Sequence, residues 1–148
     1  MILQNFKVFP VKGRILGVDW GAKRTGVAIS DESRQMVFVR PVINPEKNKT
    51  ISQQIADLIK NEKVVGVVFG LPLHGDGTES ETATCVRACV DELLKIVDVP
   101  VCFLDEYLTS SVAQESMGRV RVSDIKQKLD SESARVILEN AIAMINRQ

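Results

Sequence analysis

The chain has 148 residues, enough for one domain of ordinary size, and its 19 basic residues balance its 19 acidic residues. This zero net charge supplies no overall field for a polyanion, so binding of a nucleic acid would depend on local clusters or on bound metal ions. The three cysteines form no CxxC pair and have no histidine beside them, which excludes the usual zinc and disulfide patterns. The cysteines are instead interpreted as small core residues in a reducing cytosol. No stretch approaches the roughly 18 apolar residues of a membrane span.

The first half of the chain predicts a short extension followed by an antiparallel meander. Residues 1–13 contain apolar side chains interrupted by Asn5 and Lys7, and we interpret them as an extension before a single domain over residues 14–148. Three apolar runs follow and are joined by short turns, which is typical of antiparallel strands. These runs cover residues 15–20, 26–30 and 36–42.

The second half predicts alternating strands and helices. A helical stripe begins at Ile51, and residues 64–69 form a continuous apolar run of the kind found in strands covered on both faces. The spacing of Thr78 and Glu81 predicts a capping box for a second helix, before a strand near residue 101 and a last helix around Ala134. The expected fold is α/β, with a mixed five-stranded sheet of three antiparallel and then two parallel strands, and helices on both faces.

Asp19 ends the first predicted strand and is the most informative residue of the chain. An ionised carboxylate among apolar neighbours is costly unless it is paired with a cation or ligates a metal. Gly21 and Gly26 permit a tight turn here. Lys23 and Arg24 lie in this turn and are candidates for contacts with phosphate. The alternative is purely structural, with Asp19 paired to one of these two basic residues.

A glycine-rich loop over residues 70–79 (GLPLHGDGTE) follows the fourth strand. Pro72 should stop the ladder of that strand, and the glycines let backbone approach a ligand closely. Open α/β sheets bind ligands at the carboxyl ends of their strands, so Gly70, Pro72 and Asp76 are candidate substrate contacts. Asp76 and Glu79 are conceivable metal ligands, and an ordinary connection ending in a helix cap is the structural alternative.

Two further places supply carboxylates that could reach Asp19. Asp105 and Glu106 end the fifth strand, where alternation sends their side chains to opposite faces, so only one of them can face Asp19. Asp130 lies four residues before Ala134 and should point toward the sheet from the first turn of the last helix. The structural alternatives are solvated acids at a strand end and, for Asp130, an N-cap.

Carboxylates are the groups best placed to carry chemistry. His74 is the only histidine and has no evident orienting partner, and the serines and cysteines show no spacing typical of a nucleophile and its base. Three carboxylates from a first strand, a late strand and a last helix can hold two divalent ions, roughly 3.5 to 4 Å apart, for phosphodiester hydrolysis. Basic residues before the last helix, among them Lys128, form either a solvated loop or a flap against a phosphate backbone.

Four segments together resemble the YqgF/RuvX family: residues 17–27 (GVDWGAKRTGV), 70–79, 105–109 (DEYLT) and 128–138 (KLDSESARVIL). The resemblance implies an RNase H-like fold related to the Holliday junction resolvase RuvC. It also implies that Asp19, Glu106 and Asp130 are the catalytic acids that bind Mg²⁺ or Mn²⁺. The chain departs from the family at Tyr107, where an arginine that contacts phosphate is usual.

The same resemblance implies a cytoplasmic nuclease that matures the 5′ end of the small-subunit (pre-16S) rRNA precursor, or a resolvase of branched DNA. The protein would act as a monomer or a homodimer, and a two-fold dimer would cut a symmetric junction most simply. One alternative is a nucleic-acid-binding factor without turnover, in transcription or ribosome assembly. A phosphate-binding ATPase of the actin and sugar-kinase type is suggested by the Asp19 loop alone and would need two duplicated domains.

Overall fold

The computed structural model describes residues 1–107 and 122–146 of the chain, and side chains at positions 1–106 and 132–146. Within these residues the chain forms six strands and three helices. The strands are β1 (Ile2–Leu3), β2 (Arg14–Asp19), β3 (Thr25–Ser30), β4 (Val37–Ile43), β5 (Val64–Leu73) and β6 (Val101–Tyr107). The helices are α1 (Ile51–Asn61), α2 (Glu81–Ile96) and α3 (Val122–Asn146).

The six strands form one mixed sheet in the order β1-β6-β5-β2-β3-β4. The meander β2-β3-β4 is antiparallel, whereas β5 is parallel to both β2 and β6. This arrangement confirms the mixed sheet expected from the sequence. The expected count of five strands is wrong, because Ile2 and Leu3 pair in parallel with Val101 and Cys102 and add a sixth strand at the edge.

The residues before β2 cover part of the sheet. Phe6 and Phe9 are 4% and 2% exposed, and their rings meet edge to face with centroids 5.6 Å apart. Phe9 lies over Gly66 so closely that a Cβ at position 66 would stand 2.5 Å from the ring. The segment therefore packs into the core as well as pairing at the sheet edge.

Helices cover both faces of the sheet, as the sequence predicts. On one face, α1 and α2 pack against alternate residues of the central strands, such as Val18 and Phe69. On the other face, α3 buries the stripe Ala134, Ile137, Leu138 and Ala141. The central strand β5 is buried along most of its length because it is covered from both sides. No helix in the described part of the chain combines the length and apolar character needed to cross a bilayer.

Two expected element boundaries are wrong. Pro72 does not end the ladder, because β5 continues to Leu73 and pairs there with β6 alone, while its pairing with β2 stops at Phe69. The N-cap of α2 is Ser80, whose hydroxyl accepts a hydrogen bond from the Ala83 amide at 3.3 Å. Thr78 is instead part of the preceding turn.

The last helix also begins earlier than expected. It starts at Val122, so Asp130 belongs to its interior and is not the N-cap that the structural alternative required. The position of this helix on the sheet depends on its close contact with Gly17. A Cβ at Gly17 of β2 would lie 2.8 Å from the Leu138 Cβ and 3.0 Å from the Ala134 carbonyl oxygen.

Candidate active site

Three neighbouring strands bring their carboxyl ends to one edge of the sheet. Asp19 is the last residue of β2, and Glu106 is the penultimate residue of β6. Strand β5 lies between them and supplies Gly70 and Pro72. Strands in a sheet are spaced about 4.8 Å apart, so the backbones that carry the two acids are separated laterally by roughly 10 Å.

Asp19 and Glu106 belong to the same face of the sheet. Gly17 faces Leu138 of α3, and strand alternation places Asp19, two residues later, on that face. Leu104 belongs to the core cluster under α3, and alternation places Glu106 there in the same way. Both carboxylates therefore project from the α3 side of the sheet.

Gly70 leaves room between the two acids. Glu106 leans over this glycine, because a Cβ at position 70 would stand 3.3 Å from the Glu106 Cγ. The same Cβ would lie 2.6 Å from the Ile137 Cδ1 of α3. The absence of a side chain at Gly70 thus leaves room for the Glu106 side chain over β5, the strand between β6 and the strand that carries Asp19.

The surroundings of Glu106 suit a cation. Its side chain is half-buried, and among the described residues it accepts no hydrogen bond and forms no ion pair. Burial raises the pKa of the Glu106 carboxyl above its ordinary value of 4.5, because desolvation disfavours the charged form. A divalent ion would supply the missing positive charge, so the residue fits the role of a metal ligand.

Asp105 points away from this site. It is exposed on the opposite face, beside Phe103 and close enough to Arg87 of α2 for the two charges to attract. Alternation along β6 predicts only that one of the two acids faces Asp19. The packing of α3 against Leu104 decides that it is Glu106.

The hairpin after Asp19 is held by Thr25, which is fully buried. The Thr25 hydroxyl accepts a hydrogen bond from the Gly21 amide at 3.3 Å and donates one to the Gly21 carbonyl at 3.2 Å. Lys23 is exposed at the hairpin tip and Arg24 is half-buried. The structure therefore presents basic side chains on the turn that begins at Asp19.

The loop after β5 folds back on itself next to the same edge. The His74 amide donates to the Thr78 carbonyl at 2.8 Å, and Asp76 Oδ1 accepts from the Thr78 amide and hydroxyl at 3.0 and 2.7 Å. These hydrogen bonds hold the pKa of Asp76 below its ordinary value. Glu79, an alternative metal ligand in the sequence, is instead bound by the Arg87 guanidinium.

For the third expected acid, Asp130, only the backbone position is described. Asp130 lies in α3 one helical turn before Ala134, which packs on the sheet, but the side chains of Asp130 and Lys128 fall outside the described ones. Among the side chains described at positions 1–106 and 132–146, no three acids, histidines or cysteines cluster around a possible metal position. Asp19 and Glu106 are thus the described part of the expected set.

Arg87 is the residue at this edge that the sequence did not predict. It lies next to the apolar stripe of α2, and its partner Glu79 lies in the loop between β5 and α2. No local spacing identifies such a pair. The only sequence feature that could have drawn attention to Arg87 is that α2 carries just two basic residues, Arg87 and Lys95.

This sheet order, with helices on both faces and acids at the carboxyl edge of the central strands, defines an RNase H-like α/β protein. RuvC of Thermus thermophilus, solved in complex with a Holliday junction substrate, superposes with a TM-score of 0.54. The alignment covers 90% of this chain and 96% of that one at 9% identity, so it establishes the fold alone.

The chain belongs to the RuvX family, described as Holliday junction resolvase, whose model matches residues 13–144. A relative from Maridesulfovibrio salexigens is 36% identical over 132 residues, which is 88% of this chain and 98% of the relative. Another from Sulfurihydrogenibium sp. is 40% identical over 131 residues, or 85% and 87% of the two chains. Both relatives carry the name "Putative pre-16S rRNA nuclease".

Proposed function

We propose that this chain is a metal-dependent endonuclease that hydrolyses phosphodiester bonds in structured nucleic acid, in 5′-end processing of pre-16S rRNA. The observation that carries the proposal is the placement of Asp19 and Glu106 on one face of the sheet, on either side of Gly70. The names of the relatives support the choice of rRNA precursor as the substrate.

Asp19, Glu106 and Asp130 would hold Mg²⁺ or Mn²⁺. Such ions, when bound, lower the pKa of a coordinated water and neutralise charge on the phosphate that is attacked. The chain contributes the geometry: the Glu106 side chain lies over Gly70, and α3 shields that face of the sheet from water. A half-buried carboxylate that lacks a protein cation binds a divalent ion more strongly than a solvated one does.

Nucleic acid would be held by residues around the acids. Lys23 and Arg24 on the β2–β3 hairpin, together with Lys128, would contact backbone phosphates on either side of the scissile bond. Gly70 is buried beneath Ile137 and Glu106, so it would act by leaving room for the Glu106 side chain. The half-buried Pro72 would allow the nucleic acid to approach the carboxyl end of β5. Asp76 would act indirectly, because its hydrogen bonds to Thr78 set the shape of the loop.

We place this activity in the cytoplasm, on pre-rRNA, with the chain acting as a monomer or a homodimer. The family description names Holliday junctions, so a four-way DNA junction is the second substrate to test. The metal chemistry attacks RNA and DNA alike. The choice between them therefore rests on contacts with the 2′-hydroxyl and with helix shape.

The first prediction compares two neighbouring acids. Glu106→Gln removes the carboxylate that faces Asp19, and we expect the cleavage rate to fall at least about 100-fold. Asp105→Asn is the matched control, because Asp105 faces the opposite side and its change should leave the rate near that of the wild type. The measurement is cleavage of precursor rRNA and of a four-way DNA junction, each with Mg²⁺, Mn²⁺ or EDTA.

Three outcomes would count against the proposal. Equal loss in both variants would mean that the strand end, and not the facing carboxylate, matters. Cleavage that persists in EDTA would contradict the metal. Wild-type protein that binds precursor RNA but does not cut it with either ion would show a binding factor without turnover.

A further inference from the structure

Arg87 of α2 binds the end of the loop that follows β5. Its guanidinium donates from Nε to Glu79 Oε1 at 2.7 Å and from Nη2 to Glu79 Oε2 at 3.1 Å. This two-point contact fixes both distance and orientation, which a single hydrogen bond does not. Glu79 in turn forms an antiparallel bridge with Leu73, the last residue of β5.

The same guanidinium also contacts β6. It lies over the Phe103 ring, 5.0 Å from the centroid, at a distance suited to a cation–π interaction. The charge of Asp105, two residues further on, acts on the guanidinium only weakly, so Asp105 is not part of this set of contacts. Arg87 therefore touches the loop, and through it the end of β5, together with Phe103 in the middle of β6.

These contacts lie on the face of the sheet opposite to Glu106. In the parallel register Pro72 pairs with Glu106 and Leu73 with Tyr107, so Glu79 binds β5 one residue from the partner of the candidate ligand. Arg87 and Glu106 thus act on the same strand end from opposite faces of the sheet. Movement of that end would carry Glu106 with it.

The ion pair between Arg87 and Glu79 is exposed, with side-chain exposures of 46% and 45%. Exposed pairs add little to global stability, since water screens the charges and ordering long side chains has an entropic cost. Its removal should leave the fold intact. What it can change is the position of the segments that it joins.

We propose that Arg87 is a positioning residue, which clamps the 74–79 loop to Phe103 of β6 on the face opposite Glu106, so that Glu106 is held in place for its metal ion. This inference rests on the proposed function. Groups that hydrogen-bond a metal ligand typically change metal affinity 10- to 100-fold, and a group that acts through the neighbouring strand should lie at the lower end of this range. Small displacements of a ligand reduce the rate further.

Three variants test the clamp. Arg87→Met keeps an unbranched side chain over Phe103 but removes the charge, Arg87→Lys keeps the charge but removes the two-point contact, and Glu79→Gln removes the partner. Lys49→Met is the matched control, because Lys49 forms an exposed ion pair with Asp57 at 2.6 Å in a different part of the surface. Mn²⁺ binding is measured by calorimetry without nucleic acid, beside kcat, KM and the thermal midpoint.

We expect Arg87→Met to weaken Mn²⁺ binding by about tenfold, and to lower kcat while changing KM for the nucleic acid much less. Glu79→Gln should behave similarly, and Arg87→Lys should lie between the Met variant and the wild type. Lys49→Met should match the wild type in metal affinity and rate. All four variants should unfold at similar temperatures.

Two results would overturn the proposal in distinguishable ways. If the wild type binds Mn²⁺ and cuts, but the Arg87 and Glu79 variants do so equally well, the clamp is wrong and the proposed function stands. If the wild type neither binds Mn²⁺ nor cuts, the proposed function fails and the clamp fails with it.

Discussion

Glu106 combines two requirements that oppose each other. It must be ionised to bind a divalent cation, yet its half-burial over Gly70 disfavours the charge. Without a bound ion, the folded protein carries this cost at neutral pH. Glu106 thus lowers the folding stability of the metal-free protein while favouring the binding of a divalent cation, a common arrangement at functional sites.

The cost predicts how stability depends on pH. Since burial raises the folded-state pKa of Glu106 above 4.5, the folded protein binds this proton more tightly than the unfolded chain. The contribution of Glu106 to wild-type stability should therefore fall as pH rises from about 4.5 through the folded pKa, and Glu106→Gln should lack this contribution. In metal-free buffer the variant should be the more stable protein at pH 7.5, by about 1 kcal/mol or less because solvent screens a half-exposed group.

Urea unfolding at pH 4 and pH 7.5 in the presence of EDTA measures the difference. The two proteins should converge near pH 4, where the carboxyl is protonated in both states. Asp105→Asn again serves as the control, since Asp105 is exposed. An unchanged gap between wild type and Glu106→Gln at the two pH values would contradict the desolvation of Glu106.

At the scale of elements, the docking of α3 on β2 determines whether the last helix can contribute an acid to the site. The contact at Gly17 is made by the Leu138 Cβ and by a backbone carbonyl of α3, and neither can rotate away as the end of a long side chain would. The size of the side chain at position 17 therefore limits how closely α3 can approach β2. The Asp130 position, one turn before Ala134, is carried by the same helix.

Gly17→Ala should push α3 away from the sheet. We expect a loss of about 1 to 3 kcal/mol in unfolding free energy, as in overpacked cores, together with lower nuclease activity. Gly75→Ala is the control for stability, because a Cβ there meets no described atom within 4 Å and should change the unfolding free energy by less than about 0.5 kcal/mol. Equal stability of the two variants would show that α3 adapts without strain.

At the scale of the whole molecule, the N-terminal segment holds together parts that are distant in sequence. The amine of Met1 donates to the Val99 carbonyl at 3.1 Å, β1 extends the sheet beyond β6, and Phe9 fills the space over Gly66. The first two residues of β6, the strand that carries Glu106, are thereby paired on their outer side. Stability of the whole domain therefore depends on residues that precede its first long strand.

Phe9→Ala tests this dependence. Phe9 is 2% exposed, and truncation of a buried phenylalanine typically costs about 3 to 5 kcal/mol. Val8→Ala, at a position that is 73% exposed, should change the unfolding free energy by less than about 0.5 kcal/mol. Denaturant unfolding distinguishes the two, and a loss below 1 kcal/mol for Phe9→Ala would mean that the segment contributes little to the core.

Much of the fold was predictable because it follows from local periodicity. The apolar runs of β2 and β5 and the stripe of α3 have the periods of strands and helices, and short turns between runs predict the antiparallel meander. The strand β1 was missed since two residues have no period. The cap of α2 was misplaced because Thr78 serves the turn through Asp76 instead.

The sequence by itself determined the order and type of the long elements, and it marked Asp19 as a carboxylate that needs a cation, because both follow from neighbours within a few residues. Tertiary structure placed Glu106, and not Asp105, on the face of the sheet that carries Asp19, a choice that strand alternation left open and that the family resemblance implied. Tertiary structure alone showed that Arg87 packs on the opposite face of that strand. It also decided that residues 2 and 3 complete the sheet beside residues 101 and 102. These outcomes depend on which helix covers which face and on pairing across nearly a hundred residues, where burial and packing act and local spacing carries no information.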